Sequence, residues 1–146
     1  MSIEIKEDVY NSLVRTIELI GVELKEVSIE RNRMKNHVKM DIDFEASIDK
    51  WYLEDDIYSV EVSFGVNAKD HETDVFDLKF TFIIDYHLNS DLDWEDDYYD
   101  LFAHKNTPTN VWPFAREFIS STTVRMGYPS LTLPLHKNPL EPNSND

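Results

Sequence analysis

Three observations in this 146-residue chain predict an α+β fold, a four-stranded antiparallel sheet with one helix before it and helices after it. Four segments alternate apolar and polar residues with the period of a strand. The links between them run to roughly ten residues or fewer, too short for the crossovers that parallel neighbours need. Apolar residues recur at helical spacing only at the two ends of this run of strands.

Val9, Tyr10, Leu13, Val14, Ile17 and Ile20 follow helical spacing and Gly21 suits a stop, so a helix is expected from about Asp8 to Ile20. The period then changes. Val27 and Ile29 alternate with Glu26, Ser28 and Glu30 as a first strand. Val38, Met40, Ile42, Phe44, Ala46 and Ile48 mark a long second strand, Tyr58, Val60, Val62, Phe64 and Val66 a third. Phe76, Leu78, Phe80, Phe82, Ile84 and Tyr86 mark the fourth, whose opposite face also carries Ile83. Alternation of this kind implies one covered and one wetter face.

An acidic loop is expected from Asn89 to Asp97, and a short helix from Glu95 to Ala103, where the early acids suit the positive end of the helix dipole. Pro113 suits the first turn of the last helix, because proline lacks an N–H and has a fixed φ. Val111, Ala115, Phe118, Ile119, Thr122 and Met126 give that helix its apolar face, Gly127 its left-handed cap and Pro129 its stop. Leu131, Leu133 and Leu135 then alternate in an extended exit. Residues 1–137 thus read as a single domain and 138–146, polar with two prolines, as a disordered tail.

With 29 acidic against 14 basic side chains the net charge is -15. Such a surface repels phosphate backbones and anionic lipid, so neither nucleic acid nor membrane is an expected partner. Basic polypeptides suit it, and the charge favours solubility. There is no cysteine, no apolar run long enough to span a bilayer and no signal-peptide pattern at the start. The expected location is the cytoplasm.

No cofactor or metal is implied. His37, His71, His87, His104 and His136 are scattered without a zinc-ligand spacing. Asp70-His71-Glu72 reads as a solvated turn between the third and fourth strands. Asp91, Asp93, Glu95, Asp96 and Asp97 lack the glycine and terminal glutamate of a calcium loop. Nucleophile-elbow, phosphate-loop and dinucleotide patterns are absent, and Ser120 and Ser121 have no accompanying histidine. The chain is not expected to be an enzyme, and a hydrolase using the acidic loop ranks last among its readings. Trp51, Tyr52, Trp94, Tyr98, Tyr99 and Phe102 fall in expected connections or short elements. Large apolar groups in such places point to a partner or self-association surface.

Trp112-Pro113-Phe114-Ala115-Arg116-Glu117 resembles the Phe-Pro-Tyr-Ala-Arg-Glu signature of the SecB export chaperones. As in that family, a helix follows, then a glycine, an aromatic–proline pair (Tyr128-Pro129) and Leu-x-Leu at Leu131 to Leu133. Val111 to Phe118, and Asp85-Tyr86-His87-Leu88 before an acidic loop, are more similar still to SecB-like chaperones that accompany toxin–antitoxin pairs. The match spans Asp85 to Leu135. The resemblance implies a SecB-like fold, a homotetramer built as a dimer of dimers, and ATP-independent holding of unfolded or pre-secretory polypeptides in aromatic grooves. It places Trp51, Tyr52, Trp94, Tyr98, Tyr99 and Phe102 as client-binding candidates, and Trp112 to Glu117 on a packing or assembly helix. A hand-off to the SecA motor, a dedicated antitoxin client, and a non-chaperone oligomeric adaptor are the alternatives it leaves open. The helix before the first strand is more similar to the toxin–antitoxin relatives, and the acidic tail does not match the SecA-binding one.

Overall fold

The computed structural model describes residues 4–32, 40–89 and 94–133. Its elements are α1 (Glu7–Thr16), β1 (Ile17–Arg31), β2 (Asp41–Glu54), β3 (Ile57–Asp70), β4 (Thr73–Leu88), α2 (Asp96–Lys105) and α3 (Thr107–Arg125). The strands form one sheet in the order β1-β4-β3-β2, with every neighbouring pair antiparallel. Tight turns join β2 to β3 and β3 to β4, with Asp55 and His71 at positive φ in them. Asp70-His71-Glu72 is the turn the sequence predicts. β1 pairs with β4, not with its sequence neighbour β2. The expected tail from 138 onward, Leu135 and the start of the second strand at Val38 lie outside the described residues.

β3 and β4 carry the core. Their register sets Tyr58 opposite Tyr86, Val60 opposite Ile84, Val62 opposite Phe82, Phe64 opposite Phe80, Val66 opposite Leu78 and Ala68 opposite Phe76. All of these side chains are buried on one face, where directly opposed pairs stabilise a sheet most. The helices lie on that face. Phe118 of α3 packs 4.7 Å from Phe80, and Trp112 meets Phe44 of β2 edge-on at 5.5 Å. The Tyr58 hydroxyl donates to the Tyr99 carbonyl at 2.6 Å and the Tyr86 hydroxyl to Asn110 Oδ1 at 2.8 Å. Buried phenols are thereby satisfied, and burial pushes both well above the ordinary tyrosine range, so they stay donors.

Two boundaries differ from the sequence expectation, for one reason. α1 ends at Thr16, so Ile17 and Ile20 are strand residues, and Gly21 lies inside β1 rather than ending a helix. β1 has register shifts between Leu19 and Gly21 and between Leu24 and Glu26. Each adds a residue, so the side chains opposite the core row of β4 are Leu19, Val22, Leu24, Val27 and Ile29, with Arg31 opposite Phe76 at the end. Steps of three and two in that series mimic a helix over short windows. In β2 a third shift, between Ile48 and Lys50, inserts Asp49 and changes the phase. The strand therefore continues to Glu54, and Trp51 and Tyr52 sit on it, not in a connection.

α3 also starts earlier than expected. Pro108 occupies its first turn and Pro113 lies in its interior. The carbonyl that Pro113 cannot bond belongs to Thr109, which is exposed to solvent. Buried Val111, Trp112 and Ala115 hold that stretch helical through packing. The far end matches expectation. Gly127 has φ +92°, its N–H donates to the Val124 carbonyl, and the Tyr128 N–H donates to the Thr123 carbonyl. That is a Schellman ending, which a residue with a Cβ fits poorly.

Phe80→Ala is expected to cost about 3–5 kcal/mol in urea unfolding, since its ring contacts Phe64, Phe82 and Phe118 and nothing can collapse into the gap. Gly127→Ala should cost about 1–2 kcal/mol, with the secondary structure unchanged by circular dichroism.

Candidate functional site

The six aromatic candidates do not form one patch. Tyr58 and Tyr86 stack at 5.7 Å in the sheet, and Phe102 of α2 stands edge-on to both. Tyr99 of α2 lies 5.2 Å from Tyr58, and Trp51 of β2 lies 5.4 Å from Tyr99. Trp51, Tyr99 and Phe102 thus come together in one cluster, with Trp94 and Tyr98 as a separate edge-on pair at the start of α2. Tyr52 is on the opposite face of the sheet, with the Lys50 ammonium 5.8 Å from its ring centroid.

Burial divides them again. Tyr98, Tyr99 and Phe102 are buried, whereas Trp51 and Trp94 are half exposed, and Leu53 on the same face as Trp51 is exposed. The accessible groups of this rim are Trp51 and Leu53 of β2 and, apart from them, Trp94 ahead of α2, the two tryptophans partly buried against an aromatic base. α1 helps close that base. Its Tyr10 hydroxyl donates to Asn106 Oδ1, and the Lys6 N–H donates to the Tyr98 hydroxyl at 3.3 Å. Burial pushes the Tyr10 phenol up to about 12, which keeps it a donor.

On the signature helix, Trp112 and Ala115 are buried and Arg116 Nε donates to the Leu133 carbonyl at 2.6 Å, which pins the segment leaving α3 against it. Phe114 is 44% exposed on the outer side of α3, as is Val124.

A second apolar surface was not anticipated. Leu19, Ile20, Leu24, Val27 and Ile29 of β1 are between 40% and 53% exposed. Four of them, all but Ile20, project from the covered face of the sheet. The helices end short of this strand, because the ring contacts of α3 reach Phe80 and Phe82 of β4 and Phe44 of β2. β1 is also an edge strand, so one side of its backbone is unpaired with any described strand. The signal was in the sequence as the three-two spacing, which two bulges disguise.

The other face of the sheet is polar and slightly concave, with a hollow of about 430 Å³ lined by Glu26, Glu45, Ser47, Ser63, Lys79 and Thr81. On the same face, two residues before Ser63 along β3, Glu61 is only 5% exposed, bonded by Lys25 Nζ at 2.7 Å and approached by Lys50 Nζ at 3.7 Å. Lys25 reaches over β4 to do this. It is the extra residue of the second β1 bulge. Beside them Ser59 Oγ donates to Asp85 at 2.5 Å and Ser63 bonds Thr81 at 2.7 Å. Burial raises the Glu61 pKa, but the Lys25 hydrogen bond and charge, with Lys50 and Tyr52, outweigh it and hold the carboxyl below its ordinary value. Among the described residues no three His, Asp or Glu side chains are placed to hold a metal ion, and no helix is long and apolar enough to cross a membrane.

The architecture is a four-stranded antiparallel sheet capped by helices on one face, with an apolar edge strand left uncovered. The family model of SecB, the preprotein translocase subunit, matches residues 11–135, and the chain belongs to that family. Its function is that of a chaperone. Among solved structures the chain is similar to a SecB-like chaperone of Mycobacterium tuberculosis in complex with a ChAD peptide from an antitoxin. That likeness has a TM-score of 0.78 and 17% identity, covering 88% of this chain and 96% of that one, and shows a shared fold. A Streptococcus agalactiae protein of unknown function gives a TM-score of 0.47 at 10% identity, over 81% of this chain and 96% of the other. No curated protein matches at the sequence level.

Because a carboxyl with a lowered folded pKa stabilises the fold above the unfolded value and loses that contribution as pH falls through the folded one, Glu61 should support stability at neutral pH. Glu61→Gln should therefore lower the urea midpoint at pH 6–7, by a gap that closes as pH drops below the ordinary glutamate value of about 4.3. A gap that persists unchanged at pH 3 would assign the loss to packing instead.

Proposed function

We propose that this SecB-family chain is an ATP-independent holdase that keeps unfolded polypeptide soluble on the rim of Trp51, Leu53 and Trp94. The observation that carries the reading is the pairing of half-exposed tryptophans with a buried base. Trp51 is braced by Tyr58 and Tyr99, and Trp94 by Tyr98. Braced aromatics offer contact area while losing little rotamer freedom on binding. Each 100 Å² of apolar surface they cover contributes about 2.5 kcal/mol before ordering costs, enough to hold a chain segment yet release it without a nucleotide cycle. The charge of -15 keeps loaded complexes apart in solution and favours basic client segments.

Assembly is part of the proposal. The β1 row and the outer side of α3, with Phe114 and Val124, are apolar surfaces beside an open strand edge, and copies of the chain would bury them. The homotetramer that the family resemblance implies, a dimer of dimers, would meet that need. The proposed location is the cytoplasm. Within this reading an antitoxin as dedicated client is favoured over hand-off to SecA. What supports it is α1, which packs Tyr10 and Leu13 into the base of the rim, together with the fold likeness to a chaperone solved with an antitoxin peptide.

The two surfaces separate by mutation. Trp51→Ala combined with Trp94→Ala should keep the native mass of the assembly and lose most suppression of aggregation of a chemically unfolded client. Leu24→Ser with Val27→Ser should instead lower the mass. Wild-type protein that fails to suppress aggregation at stoichiometric tetramer would end the general-holdase reading, and co-purification of an antitoxin alone would replace it with the dedicated one.

A further inference from the structure

One corner of the sheet is fastened by a single imidazole. His87, near the end of β4, has Nε2 2.6 Å from Asp56 Oδ2 in the β2–β3 turn and Nδ1 2.7 Å from Asn89 Oδ1. The Asn89 amide is oriented by its own donation to Glu18 Oε2 of β1 at 3.4 Å, so its oxygen faces the ring. Both ring nitrogens thus look at acceptor oxygens. A neutral imidazole has one N–H and would leave one of those oxygens against a lone pair, whereas the imidazolium donates to both.

The groups that face His87 are Asp56 from the turn and Glu18 from β1, which is registered opposite it. Asp85 on its own strand is engaged by Ser59. All are acidic. The same corner holds two backbone bonds between otherwise separate segments, Asn89 N–H to the Thr16 carbonyl at 2.7 Å and Leu88 N–H to the Asp56 carbonyl at 2.9 Å. It therefore joins the α1–β1 junction, the end of β4 and the turn that terminates β2.

We propose that His87 is a proton-dependent clamp on this corner, closed when the ring is doubly protonated and loosened when it loses a proton. The turn it fastens ends the strand that carries Trp51 and Leu53, so the clamp sets how firmly that part of the rim is framed. That last consequence alone rests on the reading of the rim as a client surface. The Asp56 hydrogen bond raises the His87 pKa most; burial opposes it, and the Asn89 hydrogen bond with the charges of Asp56 and Glu18 carries the net shift upward. A raised histidine pKa stabilises the fold fully below the unfolded value and is lost as pH climbs through the folded one. The corner is thus tightest in mildly acidic solution and opens toward alkaline pH.

The test uses the whole chain and no client. Ring nitrogen shifts should show His87 doubly protonated with a midpoint clearly above the one His87 itself has in the urea-unfolded chain. Protection of the Leu88 and Asn89 amides against hydrogen exchange, corrected for intrinsic base catalysis, should fall several-fold across that midpoint. In Asp56→Asn, which retains an acceptor without the charge, the midpoint and the fall in protection should move down together. In His87→Gln protection should be low and independent of pH. A His87 midpoint equal in the folded and urea-unfolded chain, or protection that does not follow it, would overturn the clamp.

Discussion

The paired side chains of β3 and β4 on the covered face, from Tyr58 and Tyr86 at one end to Ala68 and Phe76 at the other, are what the remaining elements are built against. They come from two long strands joined by a tight turn, so their contacts cost little loop entropy and form a two-strand platform before anything distant has to be placed. α3 then covers Phe80 and Phe82 through Phe118, and α2 covers Tyr58 and Tyr86 through Tyr99 and Phe102. β1 is added on the β4 side and β2 on the β3 side, each taking its register from a strand already in place. Removing order from the central pair would leave both edge strands and both C-terminal helices without a partner surface.

The edges differ from the centre because they carry bulges. β3 and β4 run in phase along most of their length, while β1 has two shifts and β2 has one. An inserted residue bends and twists an edge, and here it also redirects side chains. Lys25 reaches Glu61 across β4 from one bulge, and Asp49 bonds Ser47 and Ser63 from another. The bulges thus place charged groups over the polar face and tie the two edges of the sheet to its middle.

The same feature decides how legible the chain is. β3, β4 and α2 were readable because a strand that keeps its phase, or a short helix with an acidic start, declares itself locally. The helix stop at Gly127 was readable because only a residue without a Cβ suits φ +92° cheaply. β1 was read as part helix since its apolar residues step by three and two, and β2 was ended at Ile48 where the phase changes. Local chemistry disfavours an internal proline and so predicts a helix start at Pro113, a preference that the burial of Val111, Trp112 and Ala115 overrides. Of the aromatic candidates, composition alone showed that large rings were present. It did not distinguish Trp51 and Trp94, which reach the surface, from Tyr99 and Phe102, which support them.

What the sequence by itself determined is the class of fold, the central strands, the closing turn of α3 and membership of a family marked by Trp112 to Glu117. These depend on neighbours within a few residues, where period, caps and motif order act. What only the tertiary structure decided is which apolar groups are left over. The β1 row is exposed because α3 is placed over β4, the rim is exposed because α2 stops at Trp51, and His87 has two acceptors because three distant segments meet at one corner. Exposure is set by the positions of other elements, and no local pattern contains them.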